Sequence, residues 1–209
     1  MPGMTTEELT TGAQAVPTKQ RILYASAELF RRRGYSGTGL KQISQASHAP
    51  FGSLYHHFPG GKEELGEDVI RQAGEFFRVL VESVFEGETD LATGVRAVFD
   101  GAAETVRVTD FQDACPIAVI ALEVASTNER LRVATADVFE SWITSATARF
   151  TAAGFPKRRA RELALALIAA LEGAFVLARA LRDTTALTVA GRTLADTVER
   201  ELAALPADS

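Results

Sequence analysis

The chain reads as an all-α protein of about nine helices. A small N-terminal three-helix unit of the helix-turn-helix type leads through a linker helix into a larger C-terminal helical domain. Three observations predict this. Long stretches are rich in Ala, Leu, Glu and Arg, which are strong helix formers. Alternating, β-branched runs are nearly absent. Pro and Gly cluster at the boundaries between apolar-periodic segments. With 209 residues there is room for one large domain or two small ones, without need of disulfide or metal staples.

Taken in order, the first helix covers 18–33, with Thr18 as candidate N-cap, Gly34 as stop, and an apolar stripe of Ile22, Ala25, Leu29 and Phe30. A short helix over 40–47 has Thr38 as candidate cap. A turn at 47–49 leads to a third helix over 50–57, opened by Pro50 and ended by Phe58-Pro59-Gly60-Gly61. The fourth runs from Lys62 to about Phe85, and the fifth over 90–107. Pro116 opens the sixth, over 116–125. Ser126-Thr127-Asn128-Glu129 has the form of a capping box and opens the seventh, to about 153. Gly154 and Pro156 precede the eighth, over 157–182, and Thr184 or Thr185 begins the last, to about 204.

The net charge of −5 argues against a nucleic-acid partner until the charges are placed. Residues 17–62 carry +6, the polar tail 1–16 carries −2, and residues 63–209 carry −9. All three His and all three Tyr lie in 17–62. A basic, aromatic head (17–62) therefore precedes an acidic helical body (63–209), behind a tail at 1–16 that reads as flexible.

Two short helices joined by a tight turn and buttressed by a longer one form a helix-turn-helix. Lys41 can neutralise a phosphate, and Tyr55 and His56 offer hydrogen-bonding tips. Lys62, at a helix start, opposes the helix dipole and suits an anion contact. A basic amphipathic helix is also what a solvated face looks like, and Arg31, Arg32 and Arg33 serve the dipole at the end of their helix. Tyr24 and Tyr35 read as core or loop anchors.

Residues 18–65, TKQRILYASAELFRRRGYSGTGLKQISQASHAPFGSLYHHFPGGKEEL, resemble the DNA-binding domain of TetR-type transcriptional regulators. Ile22, Ala25, Leu29, Phe30, Gly34, Tyr35, Thr38 and Ile43 stand at its core and turn positions. Gly52 to Phe58 and Lys62 to Leu65 match its recognition helix and the start of its linker helix. The string Leu-Tyr-His-His-Phe-Pro-Gly-Gly-Lys-Glu, with Cys115-Pro116-Ile117 and Ala-Leu-Glu at 121–123, resembles the LmrA/YxaF-like branch. The resemblance implies phosphate contacts at Thr38, Lys41, Tyr55, His56 and Lys62. It turns Ala49, Pro50, Phe51, Ser53 and Leu54 towards base edges. His48 stands where Gly is common, and Phe51 where a basic or polar residue is common. Phe51 can meet a thymine methyl, stay a plain surface residue or pack on the first helix.

For the body, the resemblance implies an apolar cavity for a small apolar or aromatic effector, with Phe99, Cys115, Trp142, Leu171, Glu172 and Phe175 as candidate lining. Taken singly, each aromatic reads first as plain core. Glu172 either bonds a ligand or is exposed. Cys115 reads as a small buried hydrophobe. The stripe Leu163, Leu167, Ala170, Ala174, Leu177, Leu181, Leu194 and Val198 fits a two-fold helical interface of a homodimer.

Other classes find little support. Gly61-Lys62 lacks the rest of a phosphate-binding loop, and Gly37-x-Gly39 lacks a third glycine. His56 and His57 diverge on a helix, and no Cys/His set has zinc spacing, so neither a metal nor a cofactor is expected. One cysteine excludes an internal disulfide and fits a cytoplasmic protein. No signal segment is apparent at the N-terminus. The stretch Leu163 to Leu181 is interrupted by Glu172 and Arg179, so no membrane partner is expected. The expected function is a ligand-responsive repressor, with double-stranded operator DNA and a small effector as partners. A helical ligand-binding module that has lost its operator is the competing reading.

Overall fold

Each helix begins or ends where local chemistry satisfies backbone groups that the helix itself cannot. The structure, a computed structural model, describes residues 16–87, 90–113 and 115–205. Among these are nine helices and no strand: α1 (Thr18–Arg33), α2 (Leu40–Ala46), α3 (Phe51–His57), α4 (Gly61–Gly87), α5 (Leu91–Val108), α6 (Pro116–Val124), α7 (Glu129–Ala152), α8 (Lys157–Leu181) and α9 (Thr185–Ala203). The expected tail lies outside the described residues except for Val16. Asp90 caps α5, accepting from the Thr93 amide at 2.8 Å.

Three expected caps are not formed. Pro17 precedes α1, and Thr18 is its first residue. At α2 the cap position is Gly39, whose amide donates to Gln42 Oε1 at 2.8 Å, while the Thr38 hydroxyl turns inward to the Gly34 carbonyl. At α7 the Ser126 box gives way to Asn128, which accepts from the Leu131 amide at 3.0 Å. Asn128 also donates from its amide group to Glu63, so the same residue ties the start of α7 to the start of α4.

The body is built on α4, α5, α7, α8 and α9. The pairs α5–α9, α7–α8, α4–α7 and α8–α9 lie side by side. Glycine sets two of these approaches. A Cβ at Gly191 would sit 2.6 Å from Phe99 Cβ, so α5 and α9 meet almost backbone to backbone. A Cβ at Gly74 would sit 2.5 Å from Val138, and the Gly74 carbonyl accepts the Trp142 indole N–H at 2.9 Å. Phe99 is consequently sealed between α5 and α9 and is fully buried.

Helix α8 is apolar on more than one face, and this decides which side of it is free. Leu163, Leu167 and Ala174, with Val198 of α9, are buried inside the protomer. They are core residues and leave nothing for a second copy, contrary to the interface expected from the sequence. Ala170 and Leu194 are half-buried, while Leu177 and Leu181 are exposed. The free face of α8 carries Leu165, Ala169, Gly173, Val176, Leu177 and Leu181. Among the described residues α8 is the one helix long and apolar enough to cross a membrane; here its opposite face is packed into the core.

Candidate nucleic-acid interface and body cavity

The turn between α2 and α3 is closed by short-range bonds. His48 adopts φ 51°, the left-handed conformation that the Gly-type turn position requires. The Ala49 amide donates to the Ser44 carbonyl at 3.2 Å, and the Ser44 hydroxyl donates back to the Ala49 carbonyl at 2.7 Å. Arg21 Nε, from α1, donates to the Ser47 carbonyl at 3.2 Å. The turn is thereby pinned to α1, and α3 is presented with one face inward and one outward.

That division sorts the expected DNA-contacting residues. Leu54 and Ala49 are buried in the head core and cannot reach a base edge. Thr38 is fully buried with its hydroxyl committed to Gly34, so its side chain offers nothing to a phosphate. Lys41, His48, Pro50, Phe51, Tyr55 and His56 are exposed and Ser53 is half-buried. Phe51 packs edge-on against Tyr55, with ring centroids 5.6 Å apart, and not on α1. Tyr24 is exposed, so it is no core anchor. Tyr35 does anchor its loop, edge-on to Phe30 at 5.3 Å. Lys62 Nζ lies 4.2 Å from the Tyr35 ring centroid. Burial holds the Lys62 ammonium below its ordinary pKa, an effect that the Glu123 carboxylate partly offsets.

Much of the head's positive charge is engaged within the chain. Lys19 pairs with Asp68 of α4 at 3.1 Å, and Arg32 with Glu28. Arg31 Nε lies 2.9 Å from Asp113 Oδ1, in the segment between α5 and α6; both atoms are buried, and the contact is an ion pair without good hydrogen-bond alignment. At the far end of α6, the Glu123 carboxylate accepts from the Tyr35 amide at 3.2 Å and the Ser36 amide at 2.7 Å. The head is thus held to the body at both ends of α6. The segment before α6 is held from the other side as well. Arg182 pairs with Asp110 at 2.6 Å, and Arg179 donates to the Phe111 carbonyl at 3.3 Å.

Between α4, α5, α7 and α8 lies an apolar cavity with about 70 Å³ of free internal space. Cys115, Trp142, Leu171, Glu172 and Phe175 all line it, so five of the six expected residues come together. Phe99 does not, because Gly191 lets α9 close over it. The sequence reading missed Phe77, Phe85 and Val98, together with Arg78, Glu82, Ser145 and Arg149, which also face the cavity. Glu172 is half-buried. Burial pushes its carboxyl from an ordinary 4.5 up to about 7, and the thiol of Cys115 is a donor to it. Cys115 is itself buried, and burial, together with the Glu172 charge, pushes the thiol well up, which disfavours the reactive thiolate.

A carboxyl raised in the folded state makes the fold less stable as pH climbs from about 4.5 past 7. Full ionisation of Glu172 costs roughly 3 kcal/mol by the shift–energy relation. Glu172→Gln is therefore expected to raise the melting temperature at pH 8 and to change it little at pH 4.5. Calorimetric scans at both pH values check this, and an equal effect at the two would contradict the assignment.

The comparisons with known proteins agree with this geometry. Residues 22–69 match the family profile described as bacterial regulatory proteins, tetR family. Residues 92–193 match the profile described as transcriptional regulator LmrA/YxaF-like, C-terminal domain. The chain is 36% identical over 189 residues to the uncharacterized HTH-type transcriptional regulator Rv0196 of Mycobacterium tuberculosis (strain ATCC 25618 / H37Rv), covering 88% of this chain and 95% of that protein. It is 31% identical over 183 residues to the HTH-type transcriptional regulator LmrA of Bacillus subtilis (strain 168), covering 88% and 97%. The crystal structure of a TetR transcriptional regulator from Chloroflexus aurantiacus J-10-FL superposes with a TM-score of 0.75 at 30% identity, covering 88% of this chain and 94% of that one. With a helix-turn-helix at its N-terminus, a helical body behind it and relatives aligned along most of its length, the chain belongs to the TetR family of DNA-binding transcriptional regulators, in its LmrA/YxaF-like branch, and is not an enzyme.

Proposed function

We propose that the chain is a homodimeric cytoplasmic repressor, released from its operator when a small apolar or aromatic molecule enters the body cavity. The observation that carries this reading is the placement of α6. Cys115 at its N-cap lines the cavity, Asp113 just before it pairs with the head, and Glu123 near its end caps a head loop. A ligand that shifts Cys115 or Glu172 acts on a segment that also contacts the head. Two positions of that segment, each favoured by a different partner, are what effector release requires.

On the head, Lys41, Pro50, Phe51, Ser53, Tyr55 and His56 form the reading face, with Lys41 and Tyr55 for phosphates and the start of α3 for bases. A single such face reads too few base pairs for specificity, so two heads on one two-fold site are needed. The free apolar face of α8 supplies the contact between copies. Its small residues, Ala169 and Gly173, allow close helix approach.

The direct test is selection of bound duplexes from random DNA, which should return a two-fold site, followed by a screen for compounds that release it. A compound that both quenches Trp142 and releases the operator should still quench Trp142 in Glu123→Gln. Its effect on operator affinity should fall by about tenfold there, the size of a typical coupling free energy. Unimpaired release in that variant would place the coupling elsewhere. Lys41→Ala removes two phosphate contacts per dimer, and the slope of log K against log salt should become shallower by roughly 1.8 on every duplex tested. An unchanged slope in a filter-binding titration would remove Lys41 from the interface. Leu177→Glu, on the free face of α8, should halve the mass seen by light scattering at micromolar concentration while leaving the helical circular dichroism intact.

A further inference from the structure

The charged groups around the body cavity are of two kinds. On the α4 and α7 side, Arg78 bonds both Glu75 and Glu82, and Glu82 also accepts from the Ser145 hydroxyl at 2.8 Å. Arg149 lies 3.9 Å from Glu86 and 5.9 Å from the Phe85 ring centroid. These cations already have carboxylates of their own. On the α8 side stands Glu172, which no cation among the described residues reaches; the Cys115 thiol is the donor it meets. Around it are the aromatic surfaces of Phe77, Phe85, Trp142 and Phe175. The Trp142 indole N–H is committed to the Gly74 carbonyl, so the ring offers the cavity only its π surface.

A carboxylate without a counter-ion among aromatic faces is unfavourable by itself and becomes favourable when a cation arrives. We infer that this cavity takes a lipophilic ammonium, an aromatic or long-chain amine whose charged head sits against Glu172 and whose apolar body fills the aromatic walls. The inference rests on the reading of this cavity as the effector site and names the chemistry of the effector. Three classes of ligand are distinguished by what each leaves behind. An organic anion meets Glu172 as a like charge, and finds Arg78 and Arg149 already paired. A neutral aromatic leaves Glu172 unpartnered, either charged at a desolvation cost or protonated. A cation supplies a charge-assisted hydrogen bond in a low-dielectric site, together with attraction to the ring faces. The burial that raises the Glu172 pKa is the same penalty that a bound ammonium removes.

The test uses three probes on one skeleton: 4-phenylbutylamine, 4-phenyl-1-butanol and 4-phenylbutyrate. Each is titrated into the full-length protein at pH 8, followed by the fluorescence of Trp142, the single tryptophan of the chain, and by calorimetry. The amine is expected to bind at least tenfold more tightly than the alcohol, with the carboxylate weakest. Glu172→Gln should bring the amine down to the level of the alcohol, and continued binding of the alcohol shows that the variant keeps its cavity. Equal binding of amine and alcohol, or a preference that survives in Glu172→Gln, overturns the cationic assignment and leaves the cavity as an effector site. If none of the three perturbs Trp142 or releases heat up to 10 mM, the effector reading of the cavity falls, and the cationic assignment with it.

Discussion

A buried charge has to be paired, and in this molecule the pairing runs between head and body. Arg31 and Asp113 meet out of water, where removing either partner leaves the other unsatisfied. Asp113 cannot follow α6 away from α1 without breaking that contact. Glu123 adds a second restraint of the same kind, because two amides at the end of α1 and in the loop after it are satisfied by its carboxylate. The orientation of the DNA-reading helices relative to the body therefore depends on where α6 stands. The position of α6 is set in turn by Arg179 of α8 and Arg182 at its C-cap, and by the packing around Cys115.

The cavity is placed to exploit this arrangement. Its aromatic walls come from α4 and α7, held together by the Gly74 approach, and from Phe175 of α8, and the carboxylate of Glu172 also comes from α8, the helix whose C-terminal end carries the two arginines that grip the segment before α6. In the proposed effector reading, a guest that fills the space would push on α4, which carries the head, and on the start of α6, which restrains it. Two independent routes from one cavity to one head favour a concerted change over a local one, because neither restraint can shift alone without straining the other.

Most helix boundaries were legible in the sequence, because Pro, Gly and polar caps mark them and the periodic stretches between are long. The errors were local. Thr18 and Ser126 look like caps, but Pro17 and Asn128 take those places, the latter because it also reaches Glu63. The helix-turn-helix was legible as a pattern of many positions, yet the pattern does not tell a contact residue from the core residue that positions it, and Thr38, Ala49 and Leu54 proved to be core. In α8, Ala and Leu occur all round, so periodicity could not say which stripe turns inward. Arg78 and Glu82 at i, i+4 spacing look like an ordinary solvated pair, and only the packing of α7 shows that they border a cavity. Glu123 and Asp113 carry no local signal at all, since their partners are 88 and 82 residues away in the chain.

The charge division also acquires a different meaning in three dimensions. The head's excess of +6 looks like a reserve for phosphates, yet Lys19 and Arg31 are neutralised by body carboxylates, Arg32 by Glu28, and Lys62 leans on Tyr35. Arg21, Arg33, Lys41 and Lys62 have no carboxylate ion pair among the described residues. The opposite charges of head and body thus serve first to hold the two together, and only the remainder faces outward. Ion pairing within the chain leaves each head fewer cations for phosphates than its sequence carries. In the proposed homodimer, two heads engaging one site at a fixed separation add affinity, because the second contact is made at high effective concentration. In that reading the separation is set by the body through α4 and α6. A modest charge on each head would then leave DNA binding dependent on that separation, and so on a small movement inside the body.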